Sequence, residues 1–208
     1  MKRREFLSTS ALAPAAMMGA ALPASAASQS TALPAVQMYT VGAAKVTAIS
    51  DVFLTIGPEA LQGVDAQTYA ARLAEAHITA EQHPTGVNAF LIETGDARVL
   101  VDAGTGAIMG PTLGALGASM AAIGVDPASI THLVATHLHP DHVGGVLVDG
   151  QNVFSGAELI VSADDVAFWT DPDVKAGAPE GFHSFFDLAV GVVQSFGDRV
   201  REVSGEAD

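Results

Sequence analysis

Apolar and polar residues alternate along Lys45-Val46-Thr47-Ala48-Ile49-Ser50, a β-branched stretch whose period of two predicts a strand. Asp65 to Ala76 is rich in helix formers, with Asp65 placed to cap the first turn. Two apolar runs, Val87–Glu93 and Arg98–Asp102, flank Thr94-Gly95-Asp96-Ala97 and predict a hairpin. From Pro111 to Gly124, Leu113, Leu116, Met120 and Ile123 recur at spacings of three and four. That is a helix with proline in its first turn and glycine at its end. Ile130–Thr136 and Glu158–Val161 read as strands. Ser162-Ala163-Asp164-Asp165 has the form of a capping box opening a helix that carries Phe168 and Trp169. Trp169–Glu180 reads as a loop, Gly181–Phe196 as a phenylalanine-rich helix, and Arg199–Val203 as a further strand. No internal repeat interrupts this succession. It predicts an α/β chain whose sheet is flanked by helices.

The composition narrows the picture. With 208 residues, 49% of them hydrophobic, the chain can bury one sizeable core. Its 23 acidic residues against 9 basic give a net charge of −14, which argues against nucleic acid as a partner. There is no cysteine, so any metal must be held by nitrogen and oxygen.

The amino terminus reads as a targeting segment over residues 1–26. Arg3-Arg4-Glu5-Phe6-Leu7 resembles the twin-arginine export signal, an alanine-rich run follows, and Ala24-Ser25-Ala26 offers a small-x-small cleavage site. Pro14, Pro23 and the scarcity of large aliphatic residues argue against a stable membrane span. The expected destination is the periplasm or the exterior, in a mature chain that has lost Lys2, Arg3, Arg4 and Glu5 and is more acidic still. Residues 27–40, rich in small residues and proline, read as a linker before a domain over 41–208.

The densest chemistry lies in Thr136-His137-Leu138-His139-Pro140-Asp141-His142-Val143-Gly144-Gly145. In extended chain His137 and His139 leave on one face. Pro140 then turns the backbone, so that Asp141 and His142 can converge from another direction. Gly144 and Gly145 keep side chains out of the crowded exit. Imidazole and carboxylate donors without thiolate suit Zn(II), with Mn, Fe or Co as substitutes. Two such metals roughly 3.5–4 Å apart can share a hydroxide, lower the water's pKa from 15.7 towards about 7, and polarise a scissile carbonyl or phosphoryl oxygen. The bland reading, a histidine-rich surface turn, fits poorly with the apolar strand before it. Asp102, where a strand meets Gly104-Thr105-Gly106, either caps the next turn or orients a metal ligand. His77, His83 and His132 read as solvated or structural.

The pattern Thr-His-x-His-x-Asp-His-x-Gly-Gly resembles the signature of the metallo-β-lactamase fold, an αββα sandwich of metal-dependent hydrolases. Val87–Gly95, Val99–Gly104 and Gly110–Gly114 add to the likeness. With Phe168-Trp169 and Gly181–Phe186 they resemble the methyl parathion hydrolase group of secreted enzymes. The resemblance implies that His137 and His139 bind one zinc and Asp141 and His142 a second. On that reading Asp141 and His142 serve the catalytic step as well, and a metal-bridging hydroxide attacks a small neutral ester, either an organophosphate triester or a lactone such as an acyl-homoserine lactone. It also implies a substrate pocket walled by Trp169 and Phe186, residues that ordinary core packing would equally place. Met109 stands where the group has a third aromatic. It leaves a homodimer open.

The family completes its centre downstream with a Gly-His-x-x-Gly-His segment, a bridging aspartate and a last histidine. After His142 this sequence offers only His183. The expectation is therefore an incomplete sandwich, the N-terminal two thirds or so of the domain, with fewer ligands per metal than the usual four or so. The alternative reading is a truncated fragment that binds metal without turnover.

Overall fold

The computed structural model describes residues 35–61, 63–78, 84–110 and 112–205. The export segment over 1–26, the first part of the linker, His83 and Pro111 lie outside the described residues. Everything below belongs to one compact unit, Leu33–Asp208.

Seven strands form one mixed sheet, antiparallel in one half and parallel in the other. Its antiparallel half is β1 (Val36–Val41), β2 (Ala44–Thr55), β3 (Pro84–Thr94) and β4 (Ala97–Val101). Its parallel half runs from β4 through β5 (His132–Val134) and β8 (Glu158–Ser162) to β9 (Val200–Val203). A two-stranded ribbon, β6 (Leu147–Val148) with β7 (Gln151–Asn152), stands apart. The helices are α1 (Ala66–Glu75), α2 (Leu116–Ala122), α3 (Pro140–Val143), α4 (Ala163–Trp169), α5 (Pro172–Gly177) and α6 (His183–Phe196). This is the mixed α/β architecture the pattern predicts. Among the described residues the remaining strands form the β6–β7 ribbon. No helix among them is long and apolar enough to cross a membrane.

The alternation that predicts strands also sets their faces. Thr47, Leu91, Leu100, Leu133 and Leu159 are successive partners across five strands, and each is at most 2% exposed. This row is the spine of the core, which α6 completes with Phe186, Ala189, Val192 and Phe196. The next face along the strands is more open, and Phe90 on β3 is 41% exposed. Because β4, β5 and β8 are parallel, their C-terminal ends meet at one edge of the sheet. Open α/β sheets place their ligands at such an edge. Asp102, the His137–His142 segment and Asp165 follow those ends.

Several boundaries depart from expectation for identifiable reasons. Val36–Val41, of which residues 36–40 were expected as linker, is an edge strand paired with β2 over its whole length. Its own alternation was masked by the small residues and prolines before it. The helix expected from Pro111 begins only at Leu116. Gly114 has φ +84°, and a Cβ there would lie 2.2 Å from the Gly106 carbonyl oxygen. The chain therefore spends residues 112–115 against the loop after β4, and Leu113 falls outside the helix. β5 stops at Val134 because Thr136 turns its N–H to the Asp102 carboxylate, 2.8 Å away, instead of to a neighbouring strand. The expected loop 169–180 contains α5, capped by Asp171 with Pro172 in its first turn. That Asp-Pro pair is a helix-start signal the pattern undervalued. Ser162 makes no capping hydrogen bond, so the expected capping box is absent.

One buried group unforeseen in the sequence fixes the edge. A bulge between Ser50 and Val52, with Val52 at φ +81°, turns Asp51 inward. Asp51 is fully buried and accepts hydrogen bonds from Thr105 N–H (2.8 Å), Thr105 Oγ1 (2.7 Å) and Leu116 N–H (2.7 Å). It ties the loop after β4 to the start of α2. Asp51→Ala would strand these donors in the interior. We expect a loss of about 2–4 kcal/mol in urea-unfolding free energy, since each orphaned donor costs about 1–3 kcal/mol. A loss below about 1 kcal/mol would contradict this role.

Candidate metal centre

The motif leaves β5 as extended chain and enters α3 at once. Leu138 is fully buried and anchors the segment, with His137 and His139 half-buried on either side of it. His139 stays extended (φ −71°, ψ 155°) and Pro140 opens the helix, so Asp141 and His142 occupy its first turn. The turn expected at Pro140 is thus present, and its two pairs of donors face one another. The His137 and His139 ring centres are 4.5 Å apart, and those of His137 and His142 are 3.9 Å apart.

The Gly-Gly exit has a steric cause. A Cβ on Gly145 would stand 2.0 Å from the Ala103 carbonyl oxygen. The turn lies directly on the loop after β4, to which it is pinned by Ala103 N–H to His142 O (2.6 Å) and Gly145 N–H to Gly104 O (3.1 Å).

Asp102 sits in that loop with φ +60°, an uncommon conformation for a residue with a side chain. Its carboxylate accepts from Thr136 N–H (2.8 Å) and Thr136 Oγ1 (2.9 Å) and contacts His142 Nδ1 at 2.7 Å. The carboxylate therefore reaches back to the His-x-His-x-Asp-His turn and joins Thr136 to His142. With Nδ1–H directed at Asp102, His142 presents Nε2 towards Asp141, whose Oδ2 is 3.3 Å away. A carboxylate behind an imidazole in this way sets the tautomer and raises the basicity of the other nitrogen.

The electrostatics follow. Burial pushes the His142 pKa down, but hydrogen bonds and charge from Asp102 and Asp141 outweigh it and raise it to about 9. Burial, joined by the charges of His142 and His139, lowers that of His137. Burial works to raise Asp141, yet its bond to His142 and that imidazole's charge hold it below the usual carboxylate range. His142 therefore holds its proton between the Asp102 and Asp141 carboxylates at neutral pH.

Among the described residues no group of three or more His, Asp or Glu side chains is arranged to hold a metal by itself. What the chain supplies is two pairs, His137 with His139 and Asp141 with His142, of the donor types zinc accepts. The other histidines among the described residues stand elsewhere: His77 is exposed beyond α1, His132 contacts Thr131 Oγ1 (2.8 Å), and His183 contacts the Ala178 carbonyl (3.1 Å).

Beside the motif lies an apolar cavity of about 350 Å³ lined by His139, Phe168, Trp169, Phe182 and Phe186 together with Ala178 and Pro179. The Trp169 ring meets His139 edge-on at 5.1 Å and Phe186 at 4.6 Å. Both aromatics are largely buried, at 7% and 2% exposure, so they pack the core and wall the cavity at once. Met109 is half-buried on the loop after β4 and does not line this cavity. Phe168 and Phe182, about half-exposed at its rim, were not singled out as pocket residues from the sequence.

Comparison with known proteins agrees with this geometry. The profile of the Metallo-beta-lactamase superfamily matches residues 84–198, more than half of the chain. Metallo-beta-lactamase domain-containing protein 1 of Homo sapiens is 36% identical over 91 residues, which cover 44% of this chain and 31% of that protein. A metal-dependent hydrolase of Mesorhizobium japonicum is 38% identical over 85 residues, covering 37% of this chain and 28% of that one. Among solved structures, the hydrolase AbOPH of the beta lactamase superfamily superposes with a TM-score of 0.71 at 27% identity, covering 81% of this chain and 60% of that one. The dizinc quorum-quenching lactonase AidC, in complex with a product, superposes at 0.70 and 19% identity, covering 83% of this chain and 62% of that one. The chain spans about a third or less of these curated relatives and about three fifths of these two solved chains. Profile, relatives and fold agree with the His-x-His-x-Asp-His turn at the edge of the sheet, and the chain belongs to the metallo-β-lactamase superfamily.

Proposed function

We propose that the protein is a metal-dependent hydrolase of small neutral esters, with phosphotriesters and lactones as its substrate classes. The observation that carries this is the pairing of donors in the motif, with Asp102 behind His142 and an apolar cavity opening at His139. Two divalent cations, zinc foremost, would supply an activated water near neutral pH and polarise the scissile carbonyl or phosphoryl group.

The chain's own residues prepare that chemistry. His137 and His139 would hold one cation, Asp141 and His142 the other, with Asp102 keeping the His142 Nε2 lone pair turned to the metal once its proton leaves. Trp169, Phe186, Phe168 and Phe182 offer flat apolar surface to an aryl or acyl group and exclude water from the His139 side. The acidic chain disfavours anionic substrates and nucleic acid. The twin-arginine-like segment supports export to the periplasm or beyond, and the likeness to the hydrolase AbOPH supports hydrolysis as the reaction class. A second reading, metal binding without turnover, is favoured by the donor count, since the described residues offer each metal only two ligands.

Metal content by atomic absorption, with hydrolysis of paraoxon and an acyl-homoserine lactone, tests both readings. The wild-type chain is expected to retain zinc and hydrolyse at least one ester, and the double variant His137→Ala/His139→Ala to lose both. Equal metal and activity in the two proteins would sink the proposal. Zinc bound without hydrolysis would select the second reading.

The elevated His142 pKa gives the pH dependence its sign. A pKa raised from 6.5 to about 9 stabilises the metal-free fold fully below pH 6.5, and that contribution fades as pH rises through 9. Metal binding needs the neutral imidazole, so zinc affinity should climb across the same window. Titrating zinc into weakly buffered metal-free protein at pH 7 is expected to release protons. His142→Ala should release fewer, and release unchanged by that substitution would contradict the assignment.

A further inference from the structure

Asp165 stands third in α4, where the sequence pattern assigns it to a capping box with Ser162. The structure gives it another partner. Its Oδ2 accepts the N–H of Leu138 at 2.5 Å, across 27 residues of sequence. Leu138 is fully buried and lies between His137 and His139, so the orientation of its peptide sets the direction in which both imidazoles leave the chain. The negative charge of Asp165 also acts on the His137 ring. The same helix ends at Trp169, whose indole packs edge-on against His139. The first turn of α4 therefore grips the backbone of the histidine pair and its last turn braces one ring.

We propose that Asp165 is a positioning residue of the metal centre: its carboxylate fixes the Leu138 peptide and so presents His137 and His139 together to one metal. This rests on the metal-centre reading above. The carboxylate touches neither metal nor substrate and acts through one backbone hydrogen bond. A carboxylate in the first turn of a helix also favours that helix through its dipole, so the test must separate the two effects.

Zinc affinity by chelator competition and metal-free unfolding by urea are measured on the 208-residue chain for wild type, Asp165→Ala, Asp165→Asn and His137→Ala. Asp165→Ala is expected to weaken the tightest zinc about 10–100-fold, the range typical of residues that orient metal ligands. Asp165→Asn keeps an oxygen that can accept the Leu138 N–H and is expected to recover most of that affinity, although it loses the charge. If Asp165→Ala fails to fold, Asp165→Ser replaces it, keeping a polar group in the first turn that falls short of Leu138. Lower metal-free stability with wild-type zinc affinity would overturn the proposal and leave Asp165 as a helix-terminal residue. Equal weakening in the Ala and Asn variants would also overturn it, because charge rather than the hydrogen bond would then be responsible. Zinc lost in His137→Ala but retained in Asp165→Ala sinks this inference alone. Wild-type zinc affinity in His137→Ala sinks the metal-centre reading itself.

Discussion

The Asp102 carboxylate is the constraint on which the candidate centre depends. It stands at the end of β4, yet its acceptor bonds go to Thr136 beyond β5 and to His142 in α3. Three segments that meet nowhere else in sequence are joined at one side chain. Its backbone is left-handed, a conformation that costs of order 1–3 kcal/mol. Three donor groups offset that cost, the Thr136 N–H, the Thr136 hydroxyl and the His142 Nδ1. Without the left-handed turn the loop would run on past the edge of the sheet and the carboxylate would not face the imidazole.

Asp102 is one of three carboxylates doing comparable work at this edge. Asp51 receives the N–H of Thr105 in the loop and that of Leu116 at the start of α2, Asp102 receives Thr136, and Asp165 receives Leu138. In each case a backbone donor that leaves the sheet finds a side-chain oxygen instead of another strand. A strand that must open into a ligand-bearing turn loses ladder partners, and buried N–H groups without partners are costly. Carboxylates suit this task because each offers several acceptor sites and accepts stronger, charge-assisted bonds. Some of the chain's excess acid is therefore architectural and lies away from its solvated surface.

This also explains what could and could not be read in the sequence. The turn of the His-x-His-x-Asp-His segment was legible because its histidines, its proline and its glycines are contiguous, and their spacing sets the local geometry. The hairpin of β3 and β4 and helix α1 were legible for the same reason: Gly95 turns the one, and Asp65 caps the other within three residues. Asp51 and Asp165 were not, since their partners lie 54, 65 and 27 residues away and nothing local marks them. The Pro111 helix began late because Gly114 is needed for contact with Gly106, a tertiary demand that overrides the helical spacing of Leu113. Asp102 was read with two meanings. Its local context, a carboxylate before glycines, suits a cap, and its contact with His142, 40 residues on, has no local mark.

The aromatic cluster shows the same dependence from the apolar side. Trp169 and Phe186 were weighed as either core or pocket, but a residue at a sheet edge can be both. Trp169 buries most of its surface against Phe186 and Phe168 while one edge meets His139 and bounds the cavity. Its packing energy and its place beside the proposed metal are then properties of one ring. A smaller residue there would open space in the core and release the His139 imidazole together. Stability and ligand geometry are coupled at this position. Met109, which the structure places on the loop outside the cavity lining, carries no such double duty.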